Sequence, residues 1–225
     1  MNALGIETSG TVCGVAHLAL RPALRAPVSF ETALRDGTCI LREYASDFSR
    51  HSEVIFGLLD RVLREARSRI ERVNVIAVSL GPGSFTGLRI GLALAKTLAR
   101  FGRIPLAGIP TLEALAAEAC LSHDAPAYAP LMDARRGEVY ASLYRPAAGG
   151  MVRVRGPWVA GRDAVMRALP AGARVAEGQP RATTIAALGA LRFRAGWLDD
   201  PGRLVPVYVR RPEAVEKLRR GLRKP

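Results

Sequence analysis

Apolar positions along the chain repeat with two different periods, and the switch between them outlines the fold. Two short apolar runs, Ala3–Thr8 and Val12–Leu20, flank the polar Ser9–Gly10–Thr11, the pattern of two strands joined by a tight turn. Residues 21–37 hold two prolines and no sustained period, and read as an irregular insertion before a strand at Thr38–Ala45. From Ser52 the period lengthens. Ile55, Leu58, Leu59, Val62, Leu63 and Ala66 recur at helical steps, with Arg61, Arg64, Glu65 and Arg67 opposite. Ser52 is the predicted N-cap, and Glu53 suits the positive end of the helix dipole. Val73–Leu80 is a β-branched run predicted as a buried strand, ending in Gly81–Pro82–Gly83. A second helix follows over about 84–101, with Leu88, Leu92, Ala95 and Leu98 or Ala99 on its apolar face.

The rest of the chain continues in the same manner. Ile104–Ile109 reads as a strand and Pro110–Cys120 as a helix with proline at its start. Tyr128–Met132 and Glu138–Tyr144 form a strand–turn–strand around Asp133–Gly137. Asp163–Ala168 and Ala182–Ala195 are predicted helical and Arg174–Glu177 strand-like, before the Pro-interrupted VPVYVRR stretch. Strand pairs followed by strand–helix alternation predict an α/β fold in two lobes. The lobes are expected at 1–103, completed by the C-terminal segment near 203–225, and at 104–202.

Composition narrows the classes. A chain of 225 residues buries roughly 70% of its unfolded surface and needs no disulfide or metal for its core. Three cysteines, Cys13, Cys39 and Cys120, are too few and too scattered for a disulfide scaffold and fit a reducing cytosol. CxxC and HxxxH spacings are absent, which excludes structural zinc motifs and zincin-type proteases. The opening MNALGIETSG is not a secretory signal, and apolar runs are interrupted well short of ~20 residues, so a cytoplasmic chain with no membrane contact is expected. Charge is lopsided: residues 1–150 carry 17 basic and 14 acidic groups, residues 151–225 carry 16 and 6. Seven cations fall in Arg210–Pro225, a pattern that suits a polyanion such as RNA. Lysine appears only three times, so a general preference for arginine as a solubilising residue explains much of the same excess.

Three constellations carry candidate chemistry. In Val75–Arg89, a strand, a glycine turn and a helix capped by Ser84 or Thr86 would leave backbone N–H groups for an anion. It is neither a Walker A loop nor a nucleophile elbow, because Pro82 and Thr86 stand where the elbow needs glycine. In Leu4–Gly14, hydroxyls and turn amides around Thr8 and Ser9 suit a phosphate, and Glu7 suits a metal or a water. In Leu131–Tyr140, Asp133 and Glu138 offer an acid/base pair, although the arginines between them favour a salt-bridged hairpin. His17, His51 and His123 have no ligand partner at helical spacing. Gly87 and Gly91, four apart on the second helix, permit another helix to approach closely, and Val54 and Phe56 add apolar bulk outside the first helix's main stripe.

The blocks LGIETSG, RHSEVIFGLLDRVL, VIAVSLGPGSFTGLRIGLALAKTLA, GIPTLEALA and LMDARRGEVYASLY resemble, in order and spacing, the bacterial TsaB (YeaZ) family of tRNA threonylcarbamoyladenosine biosynthesis proteins. The similarity covers about residues 3–145, with VYVRRPEA as a further C-terminal block; the 21–37 insertion and the tail after 215 depart from the pattern. The resemblance implies a two-lobed actin/Hsp70/sugar-kinase-like fold, each lobe a mixed sheet with flanking helices. It also implies a non-catalytic subunit that dimerises with the catalytic relative TsaD. This chain has Ile55 where that relative's second metal histidine would follow His51, and ATTIAALGALRFRAG where its adenosine-binding stretch would stand. No catalytic residue, no metal and no required cofactor are therefore expected, only weak or interfacial ATP or ADP. Glu7, Thr8, Ser9, Asp133 and Arg135 would line a vestigial cleft. The partner interface would comprise His51, Glu53, Val54, Ile55, Leu58, Gly83, Ser84, Phe85, Thr86, Gly87, Arg89, Ile90 and Gly91. Partners implied are TsaD, the ATPase TsaE, tRNA indirectly, and a second copy when alone. The alternative is an autonomous ATP-dependent kinase or hydrolase of the same superfold, using Glu7 and Asp133 across the cleft.

Overall fold

The computed structural model describes residues 1–20, 33–34, 38–45, 50–147 and 150–210; most of the 21–37 insertion and the basic tail from 211 lie outside the described residues. Among the described residues, nine strands form two mixed sheets. The first takes β1 (Asn2–Glu7), β2 (Val12–Ala19), β3 (Thr38–Ala45), β4 (Val75–Gly81) and β5 (Leu106–Pro110) in the order β3-β2-β1-β4-β5. The second takes β6 (Tyr128–Asp133), β7 (Glu138–Ala147), β8 (Gly150–Gly161) and β9 (Arg174–Glu177) in the order β8-β7-β6-β9. In each sheet the hairpin strands pair antiparallel, while the crossover pairs β1–β4, β4–β5 and β6–β9 run parallel.

The central strand β1 is covered on both faces, and its alternating side chains serve two separate cores. Leu4 and Ile6 point with Ile76 and Val78 toward α1 (His51–Glu65) and α2 (Phe85–Gly102). Ala3 points with Val75, Ala77 and Ala107 toward α5 (Ala182–Arg194). That second face is built from small residues so that a helix can lie close to the sheet. A methyl on Gly5 would collide with the Ala182 carbonyl and stand 2.6 Å from the Ala186 amide nitrogen; one on Gly189 would collide with Ala77. α3 (Thr111–Ser122) covers the second sheet through Leu112, Leu115 and Ala116 against Tyr128, Met132 and Tyr144. The short α4 (Arg162–Arg167) packs Val165 onto Leu131 and Ala141 on the other side.

Several expectations are corrected here. α1 begins at His51, one residue before the predicted start, and Ser52 is not its cap: Arg50 holds the N-cap position, and its guanidinium reaches the Glu53 carboxylate at 3.5 Å instead of capping the helix. The buried strand runs Val75–Gly81 rather than from Val73, because Ile70–Arg72 forms a 3₁₀ turn that occupies the approach. β8 has no counterpart in the sequence reading. Gly156–Pro157 breaks its alternation, and its partner strand shifts register between Ala141 and Tyr144 to accommodate the interruption. The first sheet does not stop at residue 103: β5 belongs to it, and α5 returns from the second sheet to cover it, because only the Ala- and Gly-lined face leaves room for that helix. A Gly5→Ala change is expected to destabilise the chain by about 1–3 kcal/mol through overpacking against α5, read as a lower denaturation midpoint in urea.

Candidate functional site: the cleft floor and the helix pair beside it

The hydroxyl turn after β1 and the glycine turn before α2 are separate in sequence but form one unit in space. The Ser84 N–H donates to the Ser9 carbonyl at 2.7 Å, and Ser84 Oγ caps α2 by accepting from the Gly87 N–H at 3.2 Å. A β-carbon on Gly83 would meet the Ser9 carbonyl, one on Gly87 the Thr8 carbonyl, and one on Gly91 the Thr8 hydroxyl. The three glycines therefore form a ridge on which the turn lies. Gly87 and Gly91 serve the chain's own packing, not the approach of a partner helix, which corrects the sequence expectation. The ridge also engages amides that were expected to receive an anion: those of Ser84 and Gly87 are already bonded.

Glu7 lies beneath this unit, 1% exposed. Its Oε1 accepts the Ser9 N–H at 2.5 Å, while Oε2 meets no donor at hydrogen-bond geometry among the described residues. Burial raises its pKa from 4.5 to about 7; hydrogen bonds from Ser9 and Ser79 oppose the shift, and the nearby Glu118 carboxylate adds to it. Cys13, buried near the same carboxylate, has its thiol pushed up to about 12 by burial first and by Glu7 second. Thr8 donates its backbone N–H to Ser79 Oγ at 3.4 Å. From the far side, Gln179 fastens the turn by accepting the Val12 N–H at 3.0 Å and donating to the Val12 carbonyl at 2.6 Å. Ser79 and Gln179 went unremarked in the sequence, and neither sits in a pattern that would single it out.

Asp133, the last residue of β6, and Arg135, in the turn that follows it, both predicted for the same cleft, are exposed. Asp133 Oδ1 accepts the Arg135 N–H at 2.8 Å, an ordinary local turn bond. Glu7 is buried with its carboxyl pushed up to about 7, whereas Asp133 is exposed. Glu138 pairs with Arg210, a cation brought from the C-terminal segment.

The helix-pair residues divide by burial. Glu53, Phe85, Thr86 and Arg89 are exposed; Val54, Leu58, Gly83, Ser84 and Ile90 are half-buried; His51, Ile55, Gly87 and Gly91 are buried. Ile55 belongs to the core with Leu59 and Val62, as the predicted stripe requires. Burial also depresses the pKa of His51, opposed by its bond with the Thr11 backbone. Beside these residues, Phe56 is 62% exposed, and the Arg89 guanidinium stacks 3.7 Å from the centroid of the half-uncovered Phe85 ring.

Two mixed sheets with flanking helices define a two-lobed α/β protein. The family described as TsaD: tRNA N6-adenosine threonylcarbamoyltransferase matches residues 43–193. The chain is 34% identical over 146 residues to the tRNA threonylcarbamoyladenosine biosynthesis protein TsaB of Bacillus subtilis, covering 64% of this chain and 56% of that one. It is 35% identical over 95 residues to TsaB of Escherichia coli, covering 42% and 41%. The match thus spans about half the length of these curated relatives. An uncharacterized protein of Mycobacterium tuberculosis is 31% identical over 215 residues, covering 83% of this chain and 95% of its own. YeaZ from Pseudomonas aeruginosa shares the fold, with a TM-score of 0.75 at 22% identity over 92% of this chain and 99% of that one. The chain belongs to the TsaB/YeaZ family, within the wider TsaD-like group.

A raised carboxyl pKa has a definite sign in folding. Below pH 4.5 Glu7 is protonated in both states; between 4.5 and 7 the unfolded chain sheds the proton first, so stability falls as pH rises through that window. Glu7→Gln is expected to remove this loss, adding stability on the order of 3 kcal/mol at pH 8 and little near pH 4, as read from denaturation midpoints across pH.

Proposed function

We propose that the chain is a non-catalytic, activating subunit for threonylcarbamoyl transfer to the tRNA adenosine beside the anticodon, acting by dimerising with the catalytic relative TsaD. The observation that carries this reading is the sealed cleft floor. A residue that holds magnesium or activates water needs an ionised form and a path for substrate. Glu7 is enclosed under the glycine ridge and only partly ionised at neutral pH. Relatives named for tRNA threonylcarbamoyladenosine biosynthesis, and a family described by the transferase itself, supply the reaction such a subunit would serve.

Docking would use the exposed side of α1 and α2, where Phe56, Phe85, Thr86 and Arg89 face outward beside the half-buried Val54, Leu58 and Ile90. Aromatic and arginine side chains are the usual anchors of such contacts. The same face would pair with a second copy when the partner is absent, a two-fold contact being the commonest solution. TsaE would join the assembly as its ATPase, and tRNA would be met through the complex. The chain would need no cofactor of its own, nucleotide binding only weakly or at the interface, and would work in the cytoplasm; no described helix is long and apolar enough to cross a membrane.

Purified alone with Mg-ATP, the chain is expected to release no phosphate above background. Phe56→Asp, at a position exposed enough to spare the fold, is expected to weaken binding to TsaD at least tenfold in calorimetry. An ATPase activity of the isolated chain that Glu7→Ala abolishes would restore the kinase or hydrolase reading. Undiminished TsaD binding by Phe56→Asp would move the interface elsewhere.

A further inference from the structure

After α5 the chain does not simply trail away. The Asp199 N–H donates to the Leu106 carbonyl at 2.9 Å, and its Oδ2 accepts the Gly108 N–H at 2.8 Å, which pins the segment to the edge strand β5. The segment then runs along α2 toward its N-terminus. Lys96 Nζ donates to the Leu204 carbonyl at 3.1 Å, and the Val207 N–H donates to the Leu80 carbonyl at 2.8 Å. Tyr208 places its ring 5.2 Å from that of Phe85, and its hydroxyl accepts from Arg89 Nε at 3.2 Å. Gly81, at φ +105°, leaves room for this crossing, since a β-carbon there would stand 2.8 Å from the Val207 carbonyl. All these anchors lie on the first lobe.

Arg210 makes the step across. Its Nη1 donates to the Ala134 carbonyl at 3.0 Å and its Nη2 pairs with the Glu138 carboxylate, so one guanidinium grips both sides of the turn between β6 and β7. That turn is held in an unfavourable backbone state: Arg135 at φ 64° and Arg136 at φ 58° precede Gly137 at φ 73°. Left-handed backbone is unfavourable for an L-residue with a Cβ, and such strain persists only where the surroundings hold it. Two backbone bonds, from the Ala134 N–H to the Glu138 carbonyl and from the Glu138 N–H to the Arg135 carbonyl, close the turn on itself.

We infer that residues 204–210 are an interlobe latch, with Arg210 as the hook that holds the strained Ala134–Glu138 turn of the second lobe to the first. The pair is well suited to opening and closing: the Arg210 and Glu138 side chains are 22% and 38% exposed, sheltered enough to matter yet within reach of water and salt. The latch goes beyond the subunit reading. It adjoins the proposed docking face through Tyr208, and its test needs no partner.

The test is amide hydrogen exchange on the full chain, comparing the wild type with Arg210→Gln, Glu138→Gln and the charge-swapped pair Arg210→Glu/Glu138→Arg. Each single variant is expected to speed exchange at least threefold in both 134–138 and 204–210, with α1 unchanged; the swapped pair should recover at least half of the lost protection. Small-angle scattering should show a larger radius of gyration in the single variants than in the wild type or the swap. Unchanged exchange in the two segments overturns the latch. Exchange that rises equally in α1 also overturns it, because Arg210 would then serve global stability alone.

Discussion

The close approach of the Thr8–Ser9 turn to the glycine ridge of α2 is the contact on which the rest of the arrangement depends. The turn's carbonyls and hydroxyl occupy the volume that β-carbons at 83, 87 and 91 would fill, and Ser84 uses that proximity to bond the Ser9 carbonyl while it caps the helix. Interiors this tight transmit small changes in volume directly. Because α2 sits so low on the sheet, Glu7 is closed off beneath it, and because α2 is fixed in direction, its outer side presents Phe85 and Arg89 alongside α1.

The same economy of volume appears on the opposite face of the first sheet. Gly5, Ala77 and Gly189 bring α5 against β1 and β4, so a helix that follows the second sheet in sequence becomes part of the first lobe's core. The half-buried Arg192 reinforces that crossing with a two-toothed pair to Glu113 of α3 and a bond to the Gly108 carbonyl. The two lobes therefore share a buried connection at α3 and α5 and a more exposed one at Arg210. The first combines apolar packing with the more sheltered Arg192–Glu113 pair; the second is a charge pair nearer solvent, the weaker and more responsive kind of tie.

The hydroxyl turn after β1 is filled from within the chain. The hydroxyls of Thr8 and Ser9 are buried, and the neighbouring helix terminus has already given the Ser84 and Gly87 amides to its own chain. Motif and fold together do not fix an activity; the contacts that each group makes in space decide what it is free to do.

The sequence by itself determined the elements whose signal is local. The β1–β2 hairpin, the amphipathic α1, the capped start of α2 at Ser84 and the β6–β7 turn all follow from periodicity, caps and turn residues within a dozen positions. The ordered motif blocks gave the family as well. Only the tertiary structure decided what each glycine and charge meets. Gly87 and Gly91 look alike whether they face a partner helix or the chain's own turn, since a missing side chain carries no record of what fills its place. β8 escaped notice because Gly156–Pro157 interrupts the alternation that marks a strand, and pairing with β7 restores across the sheet what the strand lacks along itself. Arg210 is one arginine among many in a basic tail, and Gln179 one polar residue in a loop. Their roles come from partners 76 and 167 positions away in the chain, a separation that no local pattern encodes.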